Sequence, residues 1–273
     1  MRTFHLKNDK GEAFFFNYKS KVLISDVSGL GFAKENTYLD YDNIYSKGIE
    51  KNPTSDITLT LTFLNGYRGY KTFLSYLENS TELFLYYKSD DEKYINCEVE
   101  ELTKAQLTSN AITSELKLKK LSYWFKDVTK EITIDVKKEG KVYPYKYPYR
   151  YSLSNKGKMT ITNNGYAKAP LRFLIEGDVN NPEIIISKEG KEVGRAKIYY
   201  ESLNCTIEID AFPTRQKITV IDGDRMIDGY EYQDFAYENF IFVERGDYEL
   251  LFIPYSTGDT KCVITMVEGY LGN

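Results

Sequence analysis

Histidine and tryptophan each occur once in the 273 residues, at His5 and Trp124. With one imidazole, a Ser-His-Asp or Cys-His catalytic set would have to run through His5, which sits in an alternating Thr3–Lys7 stretch. Histidine-based zinc sites are excluded by number. Cysteine is nearly as scarce. Cys97, Cys205 and Cys262 are far apart, odd in count and without a CxxC pair, so neither a disulfide framework nor a cysteine zinc site is implied. Free thiols fit a chain made and assembled in a reducing cytoplasm. No apolar run approaches the ~20 residues of a membrane helix, and Met1–Lys10 lacks the apolar segment of a signal peptide. Nor is there an excess of positive charge. The 36 basic and 40 acidic side chains leave a net charge of −4 with no basic stripe, which argues against specific nucleic-acid binding. Such a balance still permits the chain to line a channel for DNA, because repulsion prevents sticking.

What the chain does have is aromatic side chains: 25 Tyr and 15 Phe. They suit a pleated, half-buried surface, and tyrosine also suits interfaces. At this length two domains are expected, and a 42% hydrophobic content is enough to give each a core. Alternation of period two dominates. Thr58-Leu59-Thr60-Leu61-Thr62-Phe63 puts Leu59, Leu61 and Phe63 on one face, and Glu115–Lys119, Glu131–Val136 and Thr206–Asp210 repeat the pattern. Asn8-Asp9-Lys10-Gly11 and Lys188-Glu189-Gly190-Lys191 read as hairpin turns. Between Tyr67 and Asn79, Tyr70, Phe73, Leu74 and Leu77 fall at i, i+3, i+4 and i+7, which predicts one amphipathic helix packed on the first sheet. Beyond it no helical pattern recurs.

Two prolines in the tyrosine-rich Val142–Tyr149 stretch deny ladder hydrogen bonds and favour extended backbone, as a connection between domains would; an edge strand is the alternative. The expected organisation is therefore a first domain over 1–137, a linker over 138–150 and an all-β sandwich over 151–273.

The remaining motifs have plain structural explanations. Glu98, Glu100 and Glu101 read as a solvated strand face. Asp222-Gly223-Asp224 with Asp228 lacks the terminal glutamate of a calcium loop and reads as a turn. Gly29-Leu30-Gly31 lacks a third glycine and a following helix, so a loop needing positive φ accounts for it. No catalytic, cofactor or metal residue is assigned, and the chain is not expected to be an enzyme.

Several segments, in order, resemble the distal tail protein family of long-tailed phages and prophages of Gram-positive bacteria. They are Val27–Phe32, the strand ending at Phe63, Tyr67-x-x-Tyr70-x-x-Phe73-Leu74-x-Tyr76-Leu77, Leu83–Tyr87 with Tyr94–Glu100, and a strand ending in Leu121–Phe125 after Leu102-Thr103-Lys104. In the second half Phe173–Gly177 with Asn181-Pro182, Asp234-Phe235, Asn239-Phe240-Ile241 and Arg245–Tyr248 continue the series.

The resemblance implies a mainly β chain. Its N-terminal β-sandwich or split-barrel-like domain would form a homo-hexameric ring continuous with the tail tube and enclosing a DNA channel. Its C-terminal sandwich would be galectin-like or carbohydrate-module-like. Partners would be the tail-tube protein on one side, the tail-tip or tail-associated lysin protein on the other, and receptor-binding proteins; the location would be the distal end of the virion tail, with no cofactor. Tyr123, Trp124 and Phe125 are candidates for a subunit interface. Tyr199, Tyr200, Tyr230 and Tyr232 are candidates for glycan contact under the alternative function, host cell-wall recognition by the second sandwich.

Overall fold

The computed structural model describes residues 2–32, 35–42, 44–51, 55–134, 156–256 and 258–272. The predicted linker 138–150 lies outside them. The chain divides into two compact units, 1–126 with 269–273, and 127–268.

The first unit contains β1 (Thr3–Asn8), β2 (Ala13–Phe15), β3 (Val22–Ser28), β4 (Glu35–Tyr41), β5 (Ile44–Lys51), β6 (Asp56–Phe63), α1 (Tyr67–Glu78), β7 (Leu83–Lys88), β8 (Glu92–Leu102), β9 (Ile112–Lys120) and the start of β10 (Trp124–Ile134). Neighbouring strands are antiparallel and run in the order β2–β1–β7–β8–β9–β6–β3, with β10 also joined to β8 through Phe125 and Tyr94. β8 belongs to both halves of this layout. Its first residues pair with β7, its last with β9, and the register shifts between Val99 and Glu101. A strand that bends at such a bulge can curve an open sheet around a core.

Alternation decides which side chains fill that core. Ile57, Leu59, Leu61 and Phe63 of β6 are fully buried, as are Leu116 and Leu118 of β9, Leu85 and Ile95. Each such side chain contributes about 1.5–3 kcal/mol relative to exposure. Helix α1 closes the core with Phe73, whose ring lies 4.8 Å from Phe14, 5.8 Å from Phe63 and 5.9 Å from Phe16. The helix ends at Glu78 with Asn79 as its cap, as the apolar spacing predicts. Gly29 has φ +82, and a Cβ there would come within 2.0 Å of the Asp56 carbonyl oxygen. That close approach accounts for Gly29 without a nucleotide.

The second unit comprises the remainder of β10, β11 (Gly157–Asn163), β12 (Ala169–Asn180), β13 (Glu183–Lys188), β14 (Lys191–Lys197), β15 (Glu201–Asp210), β16 (Lys217–Asp222), β17 (Arg225–Asp228), a 3₁₀ turn (Gly229–Tyr232), β18 (Phe242–Val243), β19 (Gly246–Ile253) and, as far as Glu268, β20 (Thr260–Tyr270). One sheet runs β17–β16–β15–β12–β20, the other β11–β19–β13–β14. Phe173, Ile175, Ile207, Val220 and Ile264 of the first share a core with Ile161, Ile184, Ile186, Leu250 and Phe252 of the second, which makes the unit a β-sandwich. The β13–β14 hairpin turns through Glu189 (φ 51) and Gly190 (φ 78), both left-handed as a two-residue turn of this hand requires.

One strand differs from its expected course. The sequence reading ends a strand with the aromatic run Tyr123-Trp124-Phe125, but β9 stops at Lys120 and the aromatic pair Trp124-Phe125 opens β10. The break is made by Asn96: its carbonyl accepts from Leu121 N–H at 2.9 Å and its N–H donates to Ser122 Oγ at 3.0 Å, turning the chain.

Candidate interaction surfaces

Trp124 is fully buried in the core of the first unit, edge-on to Tyr87 at 6.4 Å, while Tyr123 and Phe125 are half-buried. Phe125 belongs to a feature that the sequence reading did not contain. Cross-strand register sets Phe15 opposite His5, His5 opposite Tyr86, Tyr86 opposite Tyr94, and Tyr94 opposite Phe125. The rings form a row across β2, β1, β7, β8 and β10, with successive centroids 4.8, 4.5, 5.1 and 5.7 Å apart. The first three contacts are stacked and the last is tilted. Directly opposed aromatic pairs are a main stabiliser of antiparallel sheets. Because the rings cover one another's faces, this row offers a ligand ring edges rather than flat platforms. The only histidine is therefore a stacking member. Burial holds its pKa below the ordinary value, opposed by the Glu92 charge and assisted by Lys7.

On the outer side of β6 and β9 the same alternation yields a polar face of Thr58, Thr60, Thr62, Glu115, Lys117 and Lys119. Lys117 Nζ lies 3.0 Å from Asp56 and 2.9 Å from Glu100; Lys119 Nζ lies 3.0 Å from Asp56. Hydrogen bonds from Lys119 and then Lys117 hold the Asp56 carboxyl below its usual range, and Glu100 followed by Asp56 pushes Lys117 up to about 12. These are solvent-screened pairs.

The β4–β5 hairpin presents Tyr38, Leu39, Ile44 and Tyr45 exposed, Ile44 by 72%. The register places Tyr38 and Tyr45 on one face of the ribbon and Leu39 and Ile44 on the other, so each face carries two exposed apolar side chains.

In the second unit the four candidate tyrosines gather around the start of β15 and the 3₁₀ turn. Tyr199 N–H donates to the Tyr232 carbonyl at 2.6 Å, and the Tyr200 and Tyr232 rings meet edge-on at 5.2 Å. Three of their hydroxyls are already committed: Tyr199 donates to Asp234 at 2.7 Å, Tyr200 to Asp222 at 2.8 Å and Tyr230 to the Gln216 carbonyl at 2.9 Å. The Asp222 bond pushes the Tyr200 phenol up to about 12. The Lys197 ammonium lies 5.1 Å from the Tyr199 ring centroid, occupying one of its faces. Gly223, with φ +59, turns the β16–β17 hairpin, so the Asp222-Gly223-Asp224 motif is a turn.

Beside this cluster the loop 233–241 rests on β14. Buried Asn239 holds it: its Oδ1 accepts from Lys197 N–H at 2.8 Å, and its Nδ2 donates to the Asp234 carbonyl at 2.9 Å and the Tyr237 carbonyl at 3.1 Å. A cleft of about 470 Å³ lies along the loop, lined among others by Arg195, Tyr237, Phe240 and Phe242. Arg195 has no charge to spare for a ligand, being bonded to Glu192 and to buried Glu183 and lying 4.9 Å from the Tyr237 ring centroid. Among the described residues no three His, Cys, Asp or Glu side chains converge as metal ligands. The three cysteines are buried free thiols, and burial pushes Cys97 up to about 12 and Cys205 to about 11.

Comparison with known proteins bears on the first unit most directly. Residues 3–121 match the family model described as the N-terminal domain of the distal tail protein, so the chain carries such a domain. No curated protein matches the chain in sequence. Among solved structures, a chain of the phage P2 baseplate in its activated conformation with Ca is similar over 98% of both chains, at 14% identity and TM-score 0.72. The SPP1 Dit protein, described as a paradigm of the hub adsorption apparatus in phages infecting Gram-positive bacteria, is similar over 96% of this chain and 98% of its own. Its identity is 11% and its TM-score 0.62. At these identities the likeness establishes the fold: both units of this chain have counterparts in one protein architecture.

Proposed function

We propose that the chain is the distal tail hub protein of a long-tailed phage, a homo-hexameric ring that joins the tail tube to the tail tip. The observation that carries this reading is the distal tail N-terminal domain at residues 3–121, within a fold that follows phage baseplate and hub proteins over nearly the whole chain. Function then resides in shape and interfaces. The interfaces of a ring must be heterologous, one surface of each subunit meeting a different surface of the next. The β4–β5 hairpin, with Tyr38, Leu39, Ile44 and Tyr45 exposed, is suited to lie on a neighbouring subunit. The polar face of Thr58, Thr60, Thr62, Lys117 and Lys119, of mixed charge, suits a water-filled channel that DNA crosses without sticking. A structural part of this kind needs no enzymatic centre.

The test is co-expression with the tail-tube and tail-tip proteins of the same phage. Each is expected to co-purify with the ring separately, and all three together. Failure to bind either would remove the joining role.

Cell-wall glycan recognition by the second unit is the other reading, favoured by the exposed rings of Tyr199 and Tyr230 and the cleft beside them. Binding of the full chain to wall polysaccharide, lost on Tyr199→Ala, would support it. Unchanged binding in that variant would remove this residue from the site.

A further inference from the structure

Helix α1 is charged against its own dipole at both ends. Its first turn contains Arg68 and no acid, with Lys71 one residue past that turn, and its last residue is Glu78. Cations near a helix N-terminus and anions near its C-terminus are both unfavourable. At the acidic end there is a second unfavourable arrangement. Glu82 and Glu98 line the same groove as Glu78, and like charges gathered in one place repel one another. Glu98 pairs with Lys119 of β9, but that ammonium is already 3.0 Å from Asp56. Lys10, bonded to the Asn79 carbonyl at 2.8 Å, is one cation set against these three glutamates. Among the described residues neither Glu78 nor Glu82 has an ion pair.

These glutamates border a groove of about 650 Å³ whose other lining side chains include Leu74, Leu77, Val99, Leu102 and Leu121. The first four are half-buried and Leu121 is 51% exposed. An apolar groove with a negative rim takes an apolar segment with a positive rim. The opposite end of α1 has that composition. Exposed Arg68 and Lys71 share a shallow depression with Tyr67. The Lys104 ammonium lies 5.2 Å from the Tyr67 ring centroid, and exposed Leu107 packs against Gly66 at the head of the helix.

We infer that the groove at the C-terminal end of α1 receives the Tyr67–Arg68–Lys71–Lys104 patch of a second copy of this chain. The inference rests on the ring reading above and assigns it a head-to-tail contact. Repeated around a ring, the contact relieves both ends of every helix, because each acidic end meets a basic one. The same charges would repel two copies meeting groove to groove, which selects the heterologous arrangement over a two-fold one.

Two double variants of the full chain test this, Glu78→Lys with Glu82→Lys and Arg68→Glu with Lys71→Glu. Because each substitution replaces a charge that is exposed in the single chain, both variants are expected to fold and to melt in one cooperative transition. Each alone is expected to lose the ring mass measured by light scattering and to run as a single copy. Mixed in equal amounts they are expected to recover the ring, since the lysine groove of one fits the glutamate patch of the other in alternation. A ring retained by either variant alone overturns the contact while leaving the hub reading standing. Loss in both without recovery on mixing overturns the pairing of the two surfaces. A wild-type chain that stays a single copy at every concentration removes the ring reading and this contact with it.

Discussion

Ser114 lies on the core-facing side of β9, directly opposite Leu61, between Ile112 and Leu116. It is 2% exposed, and its hydroxyl is one of two buried side-chain polar atoms without a hydrogen-bond partner among the described residues, the other being Trp124 Nε1. A buried hydroxyl left unpaired costs about 1–3 kcal/mol. Ser114→Ala deletes that atom and keeps the Cβ, losing only a few contacts worth tenths of a kcal/mol each. The expected net effect is stabilisation by about 1 kcal/mol. At a urea slope of about 1–3 kcal/mol/M this moves the unfolding midpoint up by about 0.3–1 M. The single tryptophan, Trp124, lies in the same core, so its fluorescence reports the unfolding of this unit without added labels. Ser114→Thr serves as the control: it retains the hydroxyl and should show no such gain. A midpoint lowered by Ser114→Ala would refute the reasoning and mean that the hydroxyl has a partner in solution, such as a trapped water.

Three further outcomes follow from the geometry. Gly29→Ala places a methyl against the Asp56 carbonyl at a φ that alanine resists, so urea unfolding should show a loss of more than about 2 kcal/mol; a neutral result would mean the loop can move aside. Asn239→Ala strips the Lys197 N–H and two loop carbonyls of their partner, costing about 1–3 kcal/mol and increasing proteolysis within 233–241; unchanged protease resistance would show that this bracket is unnecessary. His5, the only histidine, gives a single imidazole signal to follow by NMR. With its folded pKa below the unfolded value of 6.5, the neutral form is favoured by folding. Its contribution to stability is then present above 6.5 and lost as pH falls through 6.5 toward the folded value. His5→Phe should remove that part of the acid sensitivity, and a midpoint at or above 6.5 would contradict the burial argument.

What could be read from the sequence depended on whether one face of an element was buried. β6 and β9 alternate cleanly because Leu59, Leu61, Leu116 and Leu118 point into the core and threonines or lysines point out. Helix α1 was legible through Tyr70, Phe73, Leu74 and Leu77 for the same reason. The β4–β5 ribbon was not. The side chains described on both its strands are exposed, so no inside–outside rhythm marks it. The aromatic row was also invisible. Phe15, His5, Tyr86, Tyr94 and Phe125 come from five strands, and only register brings them together. Trp124 was read as a contact residue from an aromatic run, yet alternation within that run sends Trp124 inward and leaves its neighbours half-buried. The tyrosines at 199, 200, 230 and 232 could be picked out by residue type, but the internal partners of three of their hydroxyls, Asp234, Asp222 and Gln216, depend on tertiary geometry. The charge reversal of α1 was present in the sequence once the helix ends were known; only the groove that gathers Glu82 and Glu98 beside Glu78 gave it meaning.

The most direct test of the hub account is the mass of the purified full-length chain by light scattering on a sizing column, with electron-microscope images of the same peak. The account predicts a closed six-fold ring with a central channel, its mass unchanged on dilution. A single copy at every concentration, with no ring in the images, would contradict it.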